Sequence, residues 1–308
     1  MANNRTLNRD FHCLFYGSLG VLGLIANFVA VLVLPACKLT VSVFLLMRAQ
    51  CLMNLLGLCM TLVALSFHYL AAKHGLWHQI PGPLMVVGLY SQFALQIVMA
   101  FNRLCVFSNR CYPAGLKAGH TKFLILLSVL YGLLHASVCS VLCDCRISYD
   151  RTWQKWIYEG LDADLRHKTT LANDLVLLPL LIACYLATLF EMRKFGQQLS
   201  GDELRLIETK RERKVFAQFF TIACSWLTYG LFYRTLYFFP SLQTELVVAL
   251  TEILRFWIFL VDPVTYFIYM KAFRRRVLFW KKGRSRDEIE LKFRKMAAIR
   301  YQRRLLLG

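Results

Sequence analysis

The chain has 308 residues, 57% of them hydrophobic, with a mean hydropathy of +0.47 and a formal charge of +19. A soluble chain of this size would be about 45–50% apolar with an interrupted pattern, which excludes a water-soluble globular protein. In a soluble protein the charge would suggest nucleic acid; here its distribution across a bilayer matters instead, and no nucleic-acid partner is expected.

Residues 1–12 are polar and lead into the first apolar run without an evident cleavable signal. They hold the chain's one Asn-x-Ser/Thr sequence, "NRT" at 4–6, which makes Asn4 a candidate glycosylation site on an extracellular N-terminus. A bilayer core of about 30 Å needs about 20 helical residues. Seven runs meet that length, at about 14–34, 43–66, 83–107, 122–142, 171–191, 215–237 and 246–270. The loop at 143–170 is polar, with Trp153, Trp156 and Tyr158 among mixed charges. "GDELRLIETKRERK" (201–214) is rich in helix formers and predicts extensions of spans 5 and 6 rather than a separate domain. After span 7, "KAFRRRVLFWKK" (271–282) places Phe273, Val277 and Trp280 at helical spacing among cations. That is the pattern of a helix lying on the inner membrane surface, its basic side toward anionic inner-leaflet lipids. A second basic stretch, "EIELKFRKMAAIRY" (288–301), reads more readily as a solvated tail.

The domain plan is an extracellular N-terminus (1–13), a seven-span body (14–270) and a cytoplasmic amphipathic helix with a basic tail (271–308). Orientation follows from the cations. With the N-terminus outside, 26 of the 37 Lys and Arg fall on the cytoplasmic side or at its membrane edge, and 8 fall outside. Arg48, Arg234 and Arg255 lie within spans. Eleven cysteines show no metal spacing, so neither metal nor cofactor is expected. Cys143 and Cys145 follow span 4 on the outer side, where pairing of either with Cys13 is left open.

Three short strings carry a resemblance. Span 1 contains "GLIAN" (23–27), span 3 ends in "AFNRL" (100–104), and span 7 ends in "DPVTY" (262–266), followed at once by the amphipathic helix. In this order on seven spans they resemble the rhodopsin-like G-protein-coupled receptors. Within that superfamily, "GLIANFVAVLVL" followed by "FLLMRAQCLMNLL" is similar to the nematode serpentine chemoreceptors of class X. The implied fold is an all-α seven-transmembrane bundle. The departures are specific: no cysteine lies between Cys59 and Cys105 to form the usual disulfide at the top of span 3, and span 4 has no tryptophan. Span 2 has Asn54 in place of the usual aspartate, and span 6 has Trp226 but no proline before Pro240.

The resemblance implies that Asn102, Arg103, Asp262, Pro263 and Tyr266 form the activation switch and the coupling site for a heterotrimeric G protein. Asn102 stands where the family has an acid, which predicts either a weaker resting restraint on Arg103 or hydrogen bonds to it from other helices. Pro263 removes a backbone donor, and Asn27 and Asn54 are apt partners for the carbonyl it frees. The family's sodium site depends on the absent span-2 aspartate, so sodium binding is not expected. Ligands of such bundles enter the outer half, where Tyr90 and Gln92 on span 3, Trp226, Tyr229 and Tyr233 on span 6, and Glu252 with Arg255 on span 7 are candidates. Glu252 and Arg255, three apart, fit a structural ion pair equally well. His135 reads as a hydrogen-bonded bundle residue.

The functional expectation is a chemosensory receptor at the plasma membrane, in the sensory cilia of neurons, binding a small molecule outside and activating a G protein inside. The alternative is a transporter or a ligand-gated channel subunit, but the sequence shows no repeated halves. A membrane enzyme would show paired carboxylates or His clusters at the midplane; none is present, and no enzyme activity is expected.

Overall fold

The computed structural model describes residues 2–37, 41–69, 80–108, 116–138, 146–150, 155–159, 163–198, 203–239, 241 and 244–278. The helices are α1 (Ala2–Val33), α2 (Val41–Tyr69), α3 (Pro81–Ser108), α4 (Ala118–Ser137), α5 (Ala163–Gln198), α6 (Glu203–Phe238), α7 (Glu245–Tyr269) and α8 (Lys271–Leu278). Five of them, α1 to α5, are long and apolar enough to cross a membrane by length and composition alone. α7 is as long but carries Glu252, Arg255 and Asp262, all buried inside the bundle. α6 begins in the charged segment and continues without a break into the apolar one. Its 36 residues span about 54 Å, well beyond a bilayer core, so its first turns project as the extension the sequence predicts.

Local chemistry sets the ends. Pro35 falls in a 3-10 turn (Leu34–Ala36) that stops α1, since proline cannot continue the hydrogen-bond ladder. Thr244 caps α7 by accepting from the Val247 amide. Met270 adopts an extended backbone, and α8 sets off in a new direction with Phe273 buried. Its cations Arg274, Arg275 and Arg276 share the helix with that anchor.

The loop between α4 and α5 contains what the sequence reading lacked, an antiparallel hairpin of β1 (Arg146–Asp150) and β2 (Lys155–Glu159). Ile147 pairs with Tyr158 and Tyr149 with Trp156. Trp156 packs beside Tyr90 and Tyr131, so the hairpin lies on the outer ends of α3 and α4.

α3 is the central helix: 67% of its most apolar window is buried, against 17% for α4 and for α5. Small residues bring its neighbours close. A Cβ on Gly132 of α4 would stand 2.6 Å from the Val87 carbonyl of α3, closer than any real contact. A Cβ on Gly88 would stand 3.1 Å from the Met53 carbonyl of α2. Without water to drive them together, membrane helices associate through such close backbone packing. α4 and α5 present Phe123, Leu130, Leu134, Leu175 and Phe190 outward, as lipid-facing helices do.

Of the expected features, Asn4 lies on α1, where the backbone alone is described. Cys143, Cys145, Trp280 and the stretch 288–301 lie outside the described residues. Cys13 packs in the core beside Tyr16, Leu58 and Phe256.

Candidate functional site

The site is built on the break in α7. Pro263 has no amide to donate to the carbonyl four residues back, that of Phe259. Asn27 of α1 supplies the donor instead: its Nδ2 lies 2.9 Å from the Phe259 oxygen and 2.9 Å from that of Gly23. The Asn27 Oδ1 in turn accepts from Asn54 of α2 at 3.1 Å. Asn54 also donates to the Asp262 carboxylate at 2.7 Å. Gln92 of α3 donates to the same carboxylate oxygen at 3.2 Å and to the Ile258 carbonyl at 3.4 Å. Four helices thus meet on one polar cluster, and Asn27, Asn54, Gln92 and Asp262 are each 0% exposed.

The cluster is rich in acceptors. The second carboxylate oxygen of Asp262, the Asn54 Oδ1 and the Gln92 Oε1 have no donor among the described residues. Asp262 takes its hydrogen bonds from amides rather than from a cation. Gln92, grouped by sequence with the ligand candidates, is placed by the structure in this core, facing α2 and α7. Its neighbour in the expected pocket, Tyr90, points elsewhere: it stacks on His135 with ring centroids 4.1 Å apart. His135 shares a hydrogen bond with Tyr131 at 3.0 Å, and Tyr131 donates to Asn173 of α5.

Toward the α8 end lies the second half of the site. Arg103 is 3% exposed, and its guanidinium sits 5.1 Å from the centre of the Phe219 ring on α6. Tyr185 of α5 donates from its hydroxyl to the Phe219 carbonyl at 3.0 Å. Asn102 turns away from Arg103: its Oδ1 accepts from the Leu116 amide at 2.9 Å and ties the segment before α4 to α3. Tyr266 is fully buried, donates to Gln50 of α2 at 3.3 Å, and packs edge-on against Phe273 of α8. The structure therefore gathers Asn27, Asn54 and Asp262 into one network, and sets Arg103 and Tyr266 in separate contacts nearer the α8 end.

The outer-half candidates divide. Trp226 is buried against Phe93, and its indole N–H has no acceptor among the described residues. Tyr229 lies beside Tyr233. Glu252 and Arg255 bind each other, with the Arg255 Nε 2.8 Å from the carboxylate, and Arg255 reaches Thr61 of α2. That pair faces α1 and α2, where Tyr16 stacks on Phe256. A further, partly buried pair, Asp174 on α5 with Arg234 on α6 at 2.8 Å, was not singled out as a site by the sequence reading. Gln50, Tyr185 and Phe219 were not either. A periodicity test identifies Gln92: positions 90 and 92 stand about 200° apart on a helix and cannot face one pocket. Among the described residues, no three His, Cys, Asp or Glu side chains converge as metal ligands would.

Comparison with known proteins adds two findings. Residues 18–262 match the family model described as the serpentine type 7TM GPCR chemoreceptor Srx. In structure the chain is similar to squid rhodopsin, with a TM-score of 0.73 at 12% identity, covering 88% of this chain and 84% of that one. A sequence search of curated proteins finds no match. The rhodopsin likeness shows the fold, and the family match spans most of the chain.

Proposed function

Because the chain belongs to the Srx family of serpentine chemoreceptors, we propose that it is a plasma-membrane receptor that converts binding of a small extracellular molecule into activation of a heterotrimeric G protein. One observation carries this reading: Arg103, a charge at the α8 end of the central helix, is sealed under Phe219 of α6. A buried guanidinium away from water is costly, and outward movement of α6 would return it to the aqueous side. In the open form Arg103 would meet the G protein, and Tyr266 would leave Gln50 and swing toward α3. Asp262, Pro263, Asn27 and Asn54 form the hinge about which the inner part of α7 turns.

The ligand enters the outer half. Trp226 offers a buried donor at the pocket floor, with Tyr229 one turn along α6; Tyr90 packs on His135 instead, Gln92 belongs to the hinge, and Glu252 with Arg255 to the wall. A ligand shifts the equilibrium only as far as it prefers the open form. α8 lies on the inner leaflet with Arg274, Arg275 and Arg276 toward anionic lipid. Asn4 carries a glycan on the extracellular side, and the cilia of sensory neurons are the site of action.

The test is ligand-independent G-protein activation in cells for the wild type, Arg103→Ala and Tyr266→Ala at matched surface density. The reading predicts a basal signal in the wild type that both changes reduce at least about tenfold, the size expected when a contact made only in the active complex is lost. Equal signals in all three proteins would overturn it.

A further inference from the structure

We infer that Phe219 is a positioning residue for Arg103: its ring face, not its bulk, holds the guanidinium and keeps the α3–α6 gap shut. The inference rests on the receptor reading above, and it is distinct from a carboxylate restraint of the kind an acid at position 102 would provide. Three features support it. The guanidinium carbon lies 5.1 Å from the ring centroid, within the range of a cation–π contact. Both partners are almost wholly removed from solvent, Phe219 at 0% and Arg103 at 3%, and desolvation is the condition under which such a contact is strongest. The stretch of α6 that carries the ring is itself held. Tyr185 donates to the Phe219 carbonyl at 3.0 Å and packs edge-on against Phe216 and Phe220, three residues before and one after Phe219.

Asn102 completes the argument. Its side chain is engaged with the Leu116 amide, so the residue beside Arg103 stabilises the connection to α4 instead of the guanidinium. The two residues of the "NR" pair thus have separate jobs: Asn102 fixes the loop, and Arg103 closes the bundle against α6. Any outward movement of α6 carries Phe219 away and must break this contact. Its strength contributes to the population of the closed form.

A thiol on the Arg103 face of α3 gives a direct readout. Ala100, one turn before Arg103 on that face, is 0% exposed, and Ala100→Cys places the thiol there. In the full-length Ala100→Cys protein in lipid nanodiscs, the rate of N-ethylmaleimide labelling at position 100, followed by mass spectrometry of its peptide, reports opening. Phe219→Leu keeps an apolar side chain and removes the ring; Phe219→trifluorophenylalanine keeps the ring's shape and weakens the negative potential of its face. Both substitutions are expected to raise the labelling rate by about fivefold or more, the scale of a desolvated cation–π contact. An unchanged rate in the fluorinated variant would overturn the inference and reduce Phe219 to a space-filling residue, whatever Phe219→Leu does. The same proteins assayed for G-protein activation separate the two levels. Faster labelling with no gain in signalling leaves the contact standing and refutes the receptor reading; unchanged labelling beside intact Arg103-dependent signalling does the reverse.

Discussion

Ten residues of α7 separate two buried acids whose surroundings differ in kind. Glu252, toward the outer end, is bound to Arg255 three residues on, and that cation is in turn held by Thr61. Asp262, about 15 Å further along the helix, is bound to the amides of Asn54 and Gln92, and three oxygens around it have no donor among the described residues. The first cluster is charge-balanced on its own helix. The second spans four helices. The ion pair is made between two residues of one helix, whereas the network joins α7 to α1, α2 and α3, so a turn of α7 relative to those helices must rearrange the second. On the proposed reading, the first is a static wall and the second the hinge.

The largest effect expected from this contrast is at the wall. Glu252→Ala leaves Arg255 buried without its carboxylate and is expected to destabilise the protein by about 3–5 kcal/mol, seen as loss of folded yield and a lower Tm. Replacing both partners, Glu252→Gln with Arg255→Met, is expected to recover most of that loss, since neutral side chains of similar size need no counter-charge. If the double variant were as unstable as the single, the pair would not be the unit of stability.

Asn27→Ala comes next. It removes the donor that replaces the absent Pro263 amide, leaving the Phe259 carbonyl unsatisfied at a cost of about 1–3 kcal/mol. Pro263→Ala restores a backbone donor at that carbonyl, so the cost of Asn27→Ala should shrink to under about 1 kcal/mol in that background. Additive costs in a thermal-denaturation cycle would refute the substitution of one donor for the other. Smaller again, Asp262→Asn keeps the side chain's shape and one acceptor, and is expected to cost about 1 kcal/mol or less. Tyr266→Phe, which removes a hydroxyl bond of 3.3 Å, is expected to shift Tm least of the series.

The helices were legible because membrane burial writes itself as runs of about 20 apolar residues, and the amphipathic α8 because Phe273 recurs among cations. The partnership of Asn27 with the Pro263 break was legible too, since a freed carbonyl in lipid must find a donor. Asn54 was expected at a carbonyl and instead joins Asn27 to Asp262. Gln92 was grouped with Tyr90 by depth, and depth alone ignores the turn of the helix between them. Phe219 carried no signal: in a span of Phe, Ile and Leu, an inward ring and a lipid-facing ring read alike. The hairpin was hidden for another reason. Its alternating Ile147, Tyr149, Trp156 and Tyr158 sit among charges, and the loop's polarity masked the period-2 pattern.

The most direct test of wall against hinge compares Asp262→Asn with the Glu252→Gln/Arg255→Met double variant, measuring G-protein activation without added ligand per folded receptor. The hinge reading predicts a basal signal at least about threefold above wild type for Asp262→Asn, because a neutral amide oxygen accepts more weakly than a carboxylate from the Asn54 and Gln92 amides that close α2 and α3 onto α7, and an unchanged signal for the double variant. A changed signal from the double variant, with Asp262→Asn behaving as wild type, would contradict it.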